Sequence, residues 1–186
     1  MSTGFTTRVL GALAATAVAG LLLSGCSADG GGEKAQLTLA ETKSPAQLLR
    51  NEAATRVPET VIDEVLKSQD FSSACQTEET DPKGLLRQWD STVRLGINAA
   101  NGARTKEILD ELANSFVEQE WKLGNFGGSS ILELTSPDSP SVMHLSMVKA
   151  DEETGEGGVI QITSSGPCVN TDGTDSDEVR ILEERG

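Results

Sequence analysis

Tyrosine is missing altogether, histidine occurs once, and aromatic residues make up only 3% of the 186 positions. A sugar-binding platform has little to be built from, because the two tryptophans, Trp89 and Trp121, fall on core-facing positions of expected strands. The single histidine, His144, lies in an expected strand, and no G-x-S-x-G elbow supplies a nucleophile. Neither H-E-x-x-H nor C-x-x-C spacing occurs, so no metal site and no cofactor are expected. Bases are scarce as well: 15 Lys and Arg face 29 Asp and Glu, a net charge of -14. Such a surface does not neutralise phosphates, which makes nucleic acid a poor partner. The longest apolar run, Val9 to Leu23, has 15 residues. As a helix it would span roughly 22 Å, short of the ~30 Å hydrocarbon core of a bilayer.

That run has a purpose when read with its flanks. Met1 to Arg8 carries one base and no acid, so 1–25 reads as a signal peptide with Val9 to Leu23 as its apolar region. It ends on Leu23-Ser24-Gly25-Cys26, which resembles the lipobox of bacterial lipoproteins in all four positions. The resemblance implies that the Cys26 thiol receives a diacylglyceryl group, that cleavage falls just before it, and that Cys26 becomes the first residue of the mature chain. Two acyl chains give stable anchoring where one gives only marginal binding. The implied location is the extracytoplasmic face of the cell membrane. The layout as a whole is similar to that of small actinobacterial cell-surface lipoproteins: an alanine-rich signal, a lipobox, a short tether and one compact domain.

Residues 26–43 then comprise the lipidated cysteine and a flexible tether, opened by Gly30-Gly31-Gly32. Leu37 and Leu39 leave open a short edge strand. A single globular domain is expected over 44–168, the usual size for one hydrophobic core. Ser44-Pro45-Ala46-Gln47 has the residues of a helix start, with Leu48, Leu49 and Ala53 as its apolar stripe. Pro58 ends this helix or begins a second one through Val61, Ile62, Val65 and Leu66.

From Gly84 to Ile97 the period changes to two, with Leu85, Trp89, Val93, Leu95 and Ile97 on one side and Gln88, Asp90, Thr92 and Arg94 on the other. Asn101 to Glu120 returns to helical spacing. Ile108, Leu109, Leu112, Ala113, Phe116 and Val117 share its apolar face, and Glu107, Glu111, Asn114 and Glu118 lie opposite. Strands are expected at Trp121–Phe126, Ser130–Ser136, Val142–Lys149 and Val159–Thr163, separated by Gly127-Gly128, by Pro137 to Pro140 and by the acidic loop Asp151 to Gly158. The fold class is α+β: short N-terminal helices and an antiparallel sheet of about four or five strands, with one long amphipathic helix packed on one face.

Cys75 and Cys168 remain once Cys26 is assigned to lipid, an even count in an exported chain, and they are expected to form a disulfide. Residues 169–186 read as an acidic tail. Asn170 to Glu178 is rich in oxygen ligands, but Gly173 is misplaced for a calcium loop and no Glu occupies its twelfth position. With no catalytic constellation, the leading expectation is a non-enzymatic binding or interaction module that meets a protein partner of the cell envelope through the acidic helix face or a sheet edge. The alternatives are a small envelope hydrolase working through dispersed acids such as Asp90 or Glu133, and a carrier of lipid or another small ligand.

Overall fold

The computed structural model describes residues 37–125, 131–148 and 158–184, all within the compact unit Lys34–Gly186. The expected signal peptide, Cys26 and most of the expected tether lie outside the described residues.

The described chain is α+β, in the order α1 (Leu39–Arg56), β1 (Ile62–Ala74), β2 (Leu86–Ile97), α2 (Thr105–Val117), β3 (Lys122–Asn125), β4 (Leu132–Thr135), β5 (Val142–Val148), β6 (Val159–Ser165), β7 (Val169–Asn170) and α3 (Asp177–Glu184). Its strands form one antiparallel sheet of seven, larger than the four or five expected, in the order β1-β2-β6-β5-β4-β3, with β7 added to the start of β2. The surplus comes from two segments whose sequences suggested something else, β1 and β7.

Helix α1 starts at Leu39, five residues before the expected Ser44, so the last part of the expected tether is helical. Two signals compete here. Thr38 and Glu41 close a capping box, with the Thr38 N–H donating to the Glu41 carboxylate at 2.8 Å. Starting there also buries Leu39 completely, against Trp89. Pro45 then falls inside the helix, where it forfeits one backbone hydrogen bond. Leu39, Thr42, Ala46 and Ala53 are all buried along the same helix, and that contact stabilises the earlier start against the loss. The helix ends at Arg56, ahead of Pro58, as the sequence indicated.

Val61, Ile62, Val65 and Leu66, which have helical spacing, do not form a second helix. After a short turn at Glu59–Val61 the chain enters β1, a 13-residue edge strand. Register shifts between Ile62 and Glu64 and between Val65 and Lys67 mark two bulges, which is why the apolar residues miss strict alternation.

The single long amphipathic helix expected over Asn101 to Glu120 is not present. A short turn at Gly102–Arg104 leads into α2, 13 residues long. It is closed by Trp121 N–H donating to Phe116 C=O and Glu120 N–H donating to Val117 C=O, with Glu120 at φ 67°. This is a left-handed closure without the glycine that usually announces one. It turns Trp121 back to meet the Phe116 ring edge-on at 5.2 Å, and it leaves Val117 40% exposed. Two helices, α1 and α2, therefore share the face that one was expected to cover. The remaining apolar residues of α2 are buried with Val93, Leu95, Ile160, Ile162 and Leu145 of the sheet.

The C-terminal segment is folded rather than a loose tail. Val169 pairs with Arg87, and Val179 and Leu182 of α3 pack with Trp89, Leu39 and Ala46. The reason lies in spacing: Val179 and Leu182 sit three apart on an otherwise polar helix and supply a small apolar face. The Lys43 ammonium lies 4.5 Å over the Trp89 ring and donates to the Leu182 carbonyl at 3.1 Å, tying α3 to α1.

Cys75 and Cys168 form the expected disulfide, 93 residues apart in sequence. It joins the end of β1 to the residue before β7. In the chain-entropy model a loop of this length stabilises the folded state by roughly 4 to 5 kcal/mol. Replacing both cysteines with serine is expected to lower the unfolding free energy by up to that amount, measured in denaturant against the oxidised parent. The parent treated with reductant is expected to match the double variant.

Candidate functional site

Strand alternation and the register of the ladders divide the sheet into two unlike faces. Trp89, Val93 and Leu95 of β2 align with Ile160 and Ile162 of β6, with Met143 and Leu145 of β5, and with Leu134 of β4. This is the face under the helices. The opposite face carries Gln88, Asp90, Thr92 and Arg94 from β2, Gln161, Thr163 and Ser165 from β6, His144 and Ser146 from β5, and Glu133 from β4. No described helix packs on it. Its centre is polar, with Phe71, Val142, Val148 and Val159 set around it by the register, and Asp90, Thr92 and Ser165 are buried.

Asp90 organises this face. Its carboxylate accepts from Ser73 Oγ at 2.5 Å, from Gln88 Nε2 at 3.0 Å and from Ser165 Oγ at 2.5 Å, which ties β1, β2 and β6 together. No Lys or Arg forms an ion pair with it among the described residues. Three donors thus hold a buried carboxylate in place of a counter-charge. Arg94, further along β2, lies opposite Lys67 of β1, and its Nε is buried without a hydrogen-bond partner among the described residues. The face therefore carries Arg94 and Lys67 at one end, while its other end, rich in acceptors at Asp90 and Glu133, has Lys122 of β3 at its margin, opposite Thr135.

At the acceptor-rich end lies a cavity of about 630 Å³, bounded by the Cys75–Cys168 disulfide, Gln88, Ser165, Glu133 and His144, with Pro140 and Pro167 among its walls. Glu133 Oε2 is 3.3 Å from His144 Nε2, a pairing set by their direct opposition across β4 and β5. Gln88 Oε1 lies 3.7 Å from both cysteine sulfurs. Neither sulfur of a disulfide carries a proton, so this carbonyl accepts no hydrogen bond from the described residues. Its orientation is fixed, because the amide NH2 must face the Asp90 carboxylate.

The residues singled out from sequence thus separate. Cys75 and Cys168 come together, and His144 and Glu133 meet in the cavity they line, while Asp90 stands behind its wall through Gln88 and Ser165. Trp89 is fully buried beneath the helices and Trp121 packs on Phe116. Cys26 lies outside the described residues. Among the described residues no group of three or more His, Cys, Asp or Glu could hold a metal ion. Gln88, Ser73 and Ser165 were not singled out. Their signal was the polar half of the alternation in β2, read as solvent-facing when part of it is buried.

Two other surfaces anticipated from sequence are engaged in part, with Glu111 of α2 and Glu118 at its end exposed and in no ion pair among the described residues. On α2, Arg104 pairs with Glu107 at 2.9 Å and Lys106 with Asp110 at 2.6 Å, and the Arg104 hydrogen bond holds the Glu107 carboxyl below its ordinary value. The β1 edge is blunted by its two bulges, and Glu183 of α3 accepts from Ser72 N–H at 3.0 Å. The other edge, β3, is only four residues long. Near the start of β2, Asp81 accepts from Leu86 N–H at 2.8 Å, and backbone N–H groups from Leu86, Leu85, Gly84 and Lys83 together hold its carboxyl below the usual range.

No protein-family model, curated protein or solved structure matches this chain.

Removing the Asp90 carboxylate strands three donors. Asp90→Ala is expected to cost roughly 2 to 3 kcal/mol of unfolding free energy, measured by denaturant titration, with the isosteric Asn losing less. For Asp81 the folded state holds the proton less tightly than the unfolded chain. Its stabilising contribution is present above the ordinary value of 3.8 and is lost as pH falls through the lower folded value. Acid unfolding of Asp81→Asn, compared with the parent, is expected to show a flatter dependence below pH 3.8, and an unchanged slope would refute the assignment.

Proposed function

We propose that the protein is a lipid-anchored binding module of the extracytoplasmic face of the cell membrane, held through a diacylglyceryl group on Cys26 and acting by contact rather than by catalysis. The anchor rests on Leu23-Ser24-Gly25-Cys26 and the apolar run before it. Among the described residues no helix is long and apolar enough to cross a membrane, and a disulfide suits an oxidising compartment.

The observation that carries the binding reading is the hydrogen-bonding face of the sheet on which no described helix packs. The helix side is packed and the long edge is bulged and capped by Glu183, while on α2 Glu107 and Asp110 are paired along the helix and Glu111 and, at its end, Glu118 are not paired among the described residues. The open face presents the broader hydrogen-bonding surface, with a cavity at one end. A hydrolytic reading can draw on the Glu133–His144 pair as a base, but Ser165 in the cavity wall donates its hydrogen bond to Asp90. The lining mixes Gln88, Glu133, His144 and Ser165 with Ala74, Pro140, Val142 and Pro167, which suits a small ligand or partner group with a polar head better than a lipid chain.

Two measurements test this. Mass analysis of the N-terminal peptide is expected to find a diacylated Cys26, and Cys26→Ala is expected to leave the membrane fraction; an N-terminus elsewhere removes the anchor. Photo-crosslinking groups at Thr163 and Ser146 are expected to capture the same envelope component, whereas one at Glu111 on α2 does not. Capture from α2 alone would move the contact surface to the helices.

A further inference from the structure

At the end of the open face away from the disulfide, the register sets Lys67 of β1 directly opposite Arg94 of β2. Directly opposed residues have Cβ atoms roughly 4.5 to 5.5 Å apart, and like charges so placed destabilise a ladder when nothing negative lies between them. Among the described residues neither cation forms an ion pair, and the Arg94 Nε is buried without a hydrogen-bond partner. The row continues over Gln161 of β6 and Ser146 of β5, which stand in register with Arg94. Neither of these side chains makes a hydrogen bond among the described residues. Four donors thus lie in one line across four adjacent strands, about 14 Å from end to end. The nearest acid that the register places on this face, Glu64, stands opposite Gly96 in the next row, lies over that glycine, and pairs with neither cation.

We propose that this row is a binding site for a phosphate monoester, with the phosphate between Lys67 and Arg94 and the group that carries it extended over Gln161 and Ser146. A phosphate monoester has about 1.5 to 2 negative charges near neutral pH and three acceptor oxygens, enough to answer both cations. A carboxylate answers one. The Gln161 amide and the Ser146 hydroxyl donate to hydroxyl or carbonyl oxygens of the ester, and its carbon atoms border Val159 and Val148 in the next row. The net charge of -14 repels anions at a distance. At physiological salt that field is screened beyond about 8 Å, which leaves two cations one strand apart as the dominant local charge. Lys122, in register with Thr135 on β3, belongs to the row through Asp90 at the other end and is too remote to share this ligand. The assignment rests on the reading of the open sheet face as the contact surface and names what one end of it recognises.

The test is titration of the full chain with glycerol phosphate at physiological salt, followed by nuclear magnetic resonance of the Arg94 Nε–H and the Gln161 side-chain amide. Inorganic phosphate and acetate at the same ionic strength serve as comparisons. Saturable shifts at both groups are expected with glycerol phosphate, a weaker saturable shift at Arg94 with inorganic phosphate, and none with acetate. Lys67→Gln is expected to weaken binding about tenfold, and Lys122→Gln on β3 to leave it unchanged. Both lysines are exposed, so neither exchange disturbs the core.

Equal saturable shifts with acetate, or none with either phosphate, would overturn the proposal. So would equal weakening by Lys122→Gln, which would show diffuse attraction to any base of the face. The acetate comparison is made on the unaltered chain, so it holds even if a variant folds poorly. If crosslinks from Thr163 and Ser146 persist while glycerol phosphate fails to bind, the contact surface stands and only its ligand class falls.

Discussion

Strand β2 is the element on which the rest of the structure depends, because it is buried on both sides and its two sides have opposite chemistry. Trp89 and Asp90 are neighbours in sequence and point to opposite faces of the sheet. Trp89 is sealed by Leu39, Ala46, Val169 and Val179, which come from the first helix, the seventh strand and the last helix. Asp90 is sealed by Ser73 and Ser165, from the strands on either side. One residue gathers the two ends of the described chain by apolar burial. The next gathers three adjacent strands by charge-assisted hydrogen bonds. The ladder makes the two demands compatible, since a strand can serve two environments at alternate positions.

The parts of the fold that were legible in the sequence are those where one pattern had no competitor. The period-two run of β2, the apolar stripe from Ile108 to Phe116, the strands at Val142 and Val159, and the pairing of Cys75 with Cys168 all follow from local spacing or from an even cysteine count. The parts that were hidden are those where two signals disagreed. Ser44-Pro45 is a respectable helix start, but Thr38 with Glu41 is another, and only the burial of Leu39 against a residue fifty positions away decides between them. Val61 to Leu66 imitates a helix because two bulges break the alternation that would have revealed a strand. The end of α2 carries Glu120 in a left-handed conformation where a glycine would have been the usual mark. The last helix has one buried residue, Val179, too small a stripe to stand out from an acidic tail.

The candidate site was legible only in fragments. Asp90, Glu133 and His144 are ordinary polar residues at alternate positions of three strands, and alternation alone cannot say whether the polar side of a strand meets water or forms a buried network. The register decides it. By setting Ser165 opposite Asp90 and His144 opposite Glu133, the antiparallel ladders turn scattered polar residues into a connected surface. Gln88 is the clearest case. Nothing about a glutamine in a strand marks it, and its carbonyl becomes unusual only because a disulfide formed over 93 residues places two protonless sulfurs against it.

That dependence gives the disulfide a second consequence beyond restricting the unfolded chain. It closes the end of the sheet where β1, β2 and β7 meet, and the same closure brings the polar face to a wall instead of an open rim. Beyond it the chain runs through β7 and α3, whose Glu183 occupies the Ser72 N–H on the edge of β1. One covalent link therefore leads to a protected edge on one side of β1 and to a lined cavity on the other face of β2. An acidic chain that kept its long edge open would offer strand pairing as its easiest contact. With that route narrowed by bulges, a carboxylate and a short opposite edge, what the described chain offers beside its edges is the open face, where the polar groups of β2, β6 and β5 stand in register.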